Sequence, residues 1–213
     1  MPTVTPVLQL QQLHFAYPGA PVLVARWSHG VPAGVTWLRG DTGSGKTTLL
    51  SLLAGERVAG GGRVLDGVDF NADAAAYRRG LFWHDPASAD SDTCNALTPA
   101  EVTARLRARH PRFDDDAWQQ HLQGFGLGPH LAKPLFALST GTRRKVWLAA
   151  ALSAGCALTL PDEPTAGLDA ASVAYLMQAL IGCAAWPGRA TVVASGVPLD
   201  GVPLAGVIDL PLA

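Results

Sequence analysis

Residues 40–47 read Gly40-Asp41-Thr42-Gly43-Ser44-Gly45-Lys46-Thr47, with the apolar run Gly34 to Leu38 just before them and Thr48-Leu49-Leu50-Ser51-Leu52-Leu53-Ala54-Gly55 just after. The run ahead of the loop has the length of a buried strand. The stretch behind it has helical spacing and a glycine where a helix C-cap belongs. A strand, a glycine-rich loop and a helix in that order commit the chain to an α/β fold. The glycines let main-chain NH groups curl around an anion without side-chain interference, and the helix directs its positive end at the same point. A tight turn accounts for the glycines but leaves Lys46 and Thr47 unexplained. A triphosphate accounts for both: Lys46 reaches its β- and γ-phosphates, and the Thr47 hydroxyl is offered to Mg²⁺. Gly40, Asp41, Thr42, Gly43, Ser44, Gly45, Lys46, Thr47 and Thr48 are therefore the candidate phosphate cradle.

With 213 residues the chain is long enough for one well-filled core, and a single domain is predicted. A formal net charge of -1 removes the broad attraction that nucleic acid or anionic lipid requires. No nucleic-acid partner is expected, and any membrane contact must run through another subunit. The most apolar stretch, Val146 to Pro161, is interrupted by Ser153, Gly155 and Thr159. It falls short of the roughly 18 apolar residues of a spanning helix and reads as a buried helix followed by a buried strand. The opening MPTVTPVLQL has no basic residue ahead of its apolar positions, unlike a secretory signal. Cys94, Cys156 and Cys183 have no paired spacing, which argues against a zinc site or a disulfide framework and for reduced, structural thiols.

The first 40 residues alternate apolar and polar positions around turn signals at Pro18-Gly19 and Pro32-Ala33-Gly34, as short strands do. From about Pro86 to Ser153 the pattern is helical, with one helix beginning near Asp114 to Asp116, where carboxylates favour the positive end of a helix. Ala157 to Leu160 and Ala190 to Ala194 then read as buried strands separated by a helix from about Ala170 to Cys183.

Three segments narrow the function. Leu138-Ser139-Thr140-Gly141-Thr142 precedes Ala157-Leu158-Thr159-Leu160-Pro161-Asp162-Glu163-Pro164 by some twenty residues, and Ala166-Gly167-Leu168-Asp169 follows at once. In that order and spacing the chain resembles the nucleotide-binding domains of the ABC (ATP-binding cassette) family over nearly its whole length. The three segments resemble the LSGGQ signature, the Walker B strand and the D-loop, and Tyr17 stands at the position of the aromatic that stacks on adenine. The resemblance implies a P-loop NTPase (RecA-like) core sheet with an N-terminal antiparallel β layer and an inserted helical signature lobe. Its boundaries would be about 1–85 and 155–213 for the core lobe and about 86–154 for the helical lobe. It also implies that Asp162 serves Mg²⁺, that Glu163 orients or deprotonates the attacking water, and that Ser139, Gly141 and Asp169 face nucleotide across a head-to-tail pair of subunits.

The pattern breaks in three places. The family has a Gln after the second core strand, where Gly80-Leu81-Phe82-Trp83-His84-Asp85-Pro86 offers Asp85, able to approach Mg²⁺, or His84 after a one-residue slip. It has a His after the last switch strand, where this chain has Ser195. Losing an oriented donor to a developing phosphate charge costs about 10² to 10³ in rate, so slow hydrolysis is expected. Pro161 stands directly before the Asp, although proline cannot donate in a central strand. Arg143-Arg144-Lys145 reads as a solvated first-turn face.

The expected protein is an ATPase subunit of an ABC transporter, using ATP and Mg²⁺ and working with a second nucleotide-binding subunit, identical or different, and with integral membrane subunits. It is expected in the cytoplasm, on the inner face of the cell membrane through those partners. Two alternatives stay open: a soluble ABC ATPase acting on a protein partner, and an ATP-dependent dimerisation switch with weak hydrolysis.

Overall fold

The structure, a computed structural model, describes residues 5–84 and 94–212. Strands β1 (Leu8–Ala16), β2 (Val22–Val31), β4 (Gly60–Leu65) and β5 (Val68–Asp69) form an antiparallel sheet in the order β2-β1-β4-β5. Leu8 and Leu10 are buried at the two-residue period of a strand, but the next buried residue is Leu13. A bulge makes this change of phase: the pairing with both neighbours slips after Gln11, and Gln12 adopts a φ of 51°. Opposite the bulge, a Cβ on Gly61 would lie 2.4 Å from the Gln12 carbonyl oxygen, and its φ of 92° also favours glycine.

The second sheet is parallel throughout. It contains β3 (Gly34–Arg39), β6 (Leu81–Trp83), β7 (Leu158–Leu160), β8 (Ala190–Ala194) and β9 (Leu204–Asp209), in the order β6-β7-β8-β3-β9. Every residue of β7 and β8 is buried, as strands covered on both faces must be. In β8, Ala190, Val192 and Ala194 join a core with helix α1 (Lys46–Ala54) and the antiparallel sheet, whereas Val193 joins a second core. That second core holds helices α3 (Pro99–Arg109), α4 (Asp115–Gly124), α5 (Thr140–Ser153) and α6 (Ala170–Ala184). The architecture is therefore the expected mixed α/β one, with antiparallel and parallel sheets. The predicted strands at 34–38, 157–160 and 190–194, and the helices beginning near Asp114 and Ala170, all form within a residue or two.

Helix α1 is buried on nearly all sides, so its ends must be satisfied internally. The Leu52 carbonyl accepts from Arg63 Nη1 at 2.6 Å, the Leu53 carbonyl from Tyr77 Oη at 2.7 Å, and the Gly55 carbonyl from Arg78 Nη2 at 2.5 Å. Tyr77 and Arg78 belong to α2 (Ala74–Arg79). Two cations at the negative end of α1 complement its dipole, and this anchoring fixes where its N-terminus opens beyond β3.

Candidate active site

The glycine loop leaves the C-terminal end of β3 and turns into α1 at Gly45. Gly45 is the N-cap, with a φ of 100°, and a Cβ there would meet Leu23 at 2.6 Å. Lys46 is 7% exposed. Its ammonium donates to the Gly40 carbonyl at 2.7 Å and to the Asp41 carbonyl at 3.1 Å, and it pairs with Glu163 Oε1 at 3.2 Å. A buried cation held by loop carbonyls and one carboxylate is poised to transfer those contacts to phosphate oxygens.

Thr47 Oγ1 donates to Asp162 Oδ2 at 2.6 Å. The other oxygen, Asp162 Oδ1, is buried without a hydrogen-bond partner. Burial, opposed by the Thr47 hydrogen bond and reinforced by neighbouring Glu163, holds this carboxyl above its usual range. An orphaned carboxylate oxygen beside a threonine hydroxyl at a helix start is a donor set that fits a hard divalent cation.

β7 stops at Leu160, which accommodates Pro161: its carbonyl accepts from Ala194 N at 3.0 Å and no donor is demanded of it. Glu163 follows with a φ of 41°, in the left-handed region. Its NH donates to the Ala194 carbonyl at 2.8 Å, and its Oε2 accepts from Gly196 N at 3.3 Å. The ends of β3, β7 and β8 thus bring Lys46, Asp162, Glu163 and Gly196 to one place. Beside α1, Tyr17 lies just past β1, 40% exposed, with its hydroxyl 2.9 Å from Thr48 Oγ1. The Arg57 guanidinium is 5.5 Å from the ring centre. An exposed aromatic tethered to the phosphate loop is a platform on which a base can stack.

The family model for ABC transporters matches residues 29–166. The chain belongs to the ABC transporter family. It is similar to a nickel import ATP-binding protein of Rhodobacter capsulatus, at 35% identity over 92% of this chain and 81% of that one. It is likewise similar to a cytochrome c biogenesis ATP-binding export protein of Pseudomonas fluorescens (36%, over 68% of each chain). A taurine import ATP-binding protein of Pseudomonas putida is 33% identical over 82% of this chain and 66% of its own. Among solved structures, an ATP-binding subunit of an ABC transporter superposes with a TM-score of 0.75 at 20% identity, over 90% of this chain and 80% of that one. The chain is an ATP-binding, ATP-hydrolysing subunit of the transporter type, and no helix among its described residues is long and apolar enough to cross a membrane.

Several residues of this ABC subunit sit differently from the sequence expectations. Ser195 is fully buried, and its hydroxyl is closed on Val197, donating to the carbonyl at 2.9 Å and accepting from the NH at 3.1 Å. The group that meets Glu163 from this segment is instead the NH of Gly196, which side-chain motifs do not reveal. Asp85 lies outside the described residues. His84, the alternative after a one-residue slip, stacks on Trp147 of α5 at 3.8 Å between ring centres.

Ser139 is exposed and caps α5, accepting from Thr142 N at 3.1 Å. Asp169 caps α6 through Ser172 N at 2.9 Å and pairs with Lys145 at 2.6 Å. The Lys145 hydrogen bond and the Ser172 bonds hold its carboxyl well below the usual range. The expectation that 143–145 form a solvated face is corrected: Lys145 holds Asp169, and Arg144 donates to the carbonyls of Glu163, at 3.2 Å, and Ala166. The helical period carried the signal, because Gly141, Arg144 and Lys145 fall on one face of α5.

Proposed function

We propose that this chain binds Mg²⁺·ATP at residues 40–48 and hydrolyses it as one half of a head-to-tail pair of nucleotide-binding subunits that drives integral membrane partners. The carrying observation is the convergence of Lys46, Thr47, Asp162 and Glu163 at the ends of two parallel strands. Main-chain NH groups of Gly43 to Thr47 receive the phosphates, Lys46 neutralises them, and Tyr17 stacks on the base. Thr47 and Asp162 would hold Mg²⁺, which supplies charge neutralisation on the transferred phosphoryl group when bound.

Glu163 orients the attacking water and accepts its proton. For that, its carboxylate must leave Lys46, and the arrival of phosphate gives Lys46 its alternative partner. The NH of Gly196 keeps hold of the carboxylate meanwhile. Ser139 and Gly141, exposed or half-exposed at the start of α5, would close over nucleotide held by the second subunit, identical or different. We read residues 1–213 as one nucleotide-binding domain with a core lobe near 1–85 and 155–213 and a helical lobe near 86–154. The similar proteins named for nickel import, taurine import and cytochrome c biogenesis export favour a membrane partner over a soluble one, while no single cargo stands out among them.

The test is ATP turnover by the chain with its co-purified membrane subunits. Glu163→Gln is expected to lower the rate at least about 10²-fold while ATP still binds. Equal rates in the two proteins would mean that ATP acts only as a dimerisation switch.

A further inference from the structure

Glu163 is the one residue of the proposed mechanism whose backbone is itself strained. A non-glycine residue at a φ of 41° persists only where its surroundings hold it. One side is held by β8, through the bond from Glu163 N to the Ala194 carbonyl at 2.8 Å. On the other side the Glu163 carbonyl accepts twice, from Ala166 N at 3.1 Å and from Arg144 Nη1 at 3.2 Å. Arg144 also donates to the Ala166 carbonyl, so a single guanidinium spans both ends of the turn that follows the carboxylate.

Arg144 does not act alone on this turn. Gly141, one helical turn earlier, packs so tightly that a Cβ on it would fall 2.4 Å from the Gly167 carbonyl oxygen. Lys145 holds Asp169 at the end of the same segment. Residues 141, 144 and 145 thus dock one face of α5 along Glu163 to Asp169, and of these three only Arg144 reaches Glu163. A cavity of about 570 Å³ borders the contact, lined by Arg144, Trp147, Asp162 and Glu163 among others.

We infer that Arg144 is a positioning residue for Glu163: it fixes the strained main chain from which the carboxylate is presented, and it links that carboxylate to the signature helix of the same subunit. A shift of α5 when Ser139 meets nucleotide on the second subunit would then reach Glu163 through Arg144. This rests on the assignment of Glu163 as the water-orienting carboxylate under the proposed function. Both bonds leave one nitrogen, Nη1, whose protons lie in the fixed plane of the guanidinium; lysine keeps a charged donor but not that planar, pre-oriented head.

The experiment compares wild type, Arg144→Ala, Arg144→Lys and the neighbouring control Arg143→Ala, all with the membrane subunits. Among the described residues Arg143 donates to Asn95 Oδ1 at 3.5 Å and makes no hydrogen bond to the turn. Arg144→Ala is expected to lower kcat about tenfold or more with KM for ATP within about twofold, the signature of an interaction used in the transition state. Arg144→Lys is expected to recover part of the loss, and Arg143→Ala to stay near wild type. Hydrogen exchange of the peptide covering residues 161–169 is expected to quicken in Arg144→Ala without nucleotide, a readout that does not need turnover. A wild-type complex that fails to hydrolyse ATP faster than its Glu163→Gln form overturns the underlying reading. A wild type that passes that comparison while Arg144→Ala keeps its kcat, or changes KM alone, overturns the positioning role. If Arg144→Ala does not fold, the same criteria apply to Arg144→Lys, whose unchanged kcat and unchanged exchange would overturn it.

Discussion

Thr47 Oγ1 donates to Asp162 Oδ2 at 2.6 Å across 115 residues of sequence, while Asp162 Oδ1 beside it is buried without a partner. The carboxyl is therefore only half satisfied, and burial has raised its pKa. A divalent cation would supply the missing interaction. Asp162→Asn keeps the shape and removes the charge, so the gain in ATP affinity that Mg²⁺ confers should shrink about tenfold or more, the worth of a charged contact. Affinity measured with chelator present should change by less than about twofold. Calorimetric titration with ATP, with and without Mg²⁺, checks both, and an Asn variant with the full Mg²⁺ gain would remove Asp162 from the metal site.

Tyr17 presents two separable contributions, its ring and its hydroxyl bond to Thr48. Tyr17→Phe keeps the ring and removes an exposed hydrogen bond, so ATP affinity should fall no more than a few-fold. Tyr17→Ala removes the platform and should cost about 1 to 3 kcal/mol of binding. Titration with ATP and with inorganic triphosphate distinguishes the roles: the triphosphate has no base, and its affinity should be the same in all three proteins.

Gly141 and Gly182 are both helical glycines, yet they predict opposite outcomes. A Cβ on Gly141 would strike the Gly167 carbonyl at 2.4 Å, a main-chain atom that cannot move aside cheaply, whereas nothing lies within 4 Å of a Cβ on Gly182 in α6. Gly141→Ala should destabilise by about 1 to 3 kcal/mol, in the range of an overpacked contact. Gly182→Ala should stabilise by about 0.4 to 1 kcal/mol through helix propensity and a less flexible unfolded chain. Thermal melts read the difference, with about 2 to 4 °C per kcal/mol at this size. An unchanged melting temperature in Gly141→Ala would mean that α5 and the turn at Gly167 are not in tight contact.

The strand, loop and helix around Lys46 were legible because each depends on local sequence: a buried run, glycines at a sharp turn, and a helix ending at Gly55. The boundaries of β8 and the start of α4 were legible for the same reason. The bulge at Gln11-Gln12 was not, because the need for it arises from burying Leu13 on the same side as Leu10, which a local alternation pattern does not express. The direction of the Ser195 side chain was not legible either, because position in a motif does not set it, and its hydroxyl has a near partner in Val197. Arg144 was read as solvated because charge on a first helical turn usually is. Only the tertiary approach of the turn at 163–166 supplies the carbonyls that hold it.

The two buried histidines make stability depend on pH in a window that can be derived. His110 lies 3.2 Å from Cys156 Sγ and His121 lies 2.9 Å from Tyr175 Oη, and burial pushes both pKa values down to about 4. In the unfolded chain each takes up a proton near pH 6.5, so between about pH 6.5 and 4 the unfolded state binds more protons and stability falls as pH falls. The folded state keeps its full advantage above that window. Each histidine contributes a slope of up to about 1.4 kcal/mol per pH unit. Urea denaturation between pH 7 and pH 5 should show the loss before most carboxylates titrate. His121→Gln should reduce the slope by roughly one histidine's share. A variant with the wild-type slope would show that His121 is not held neutral by burial.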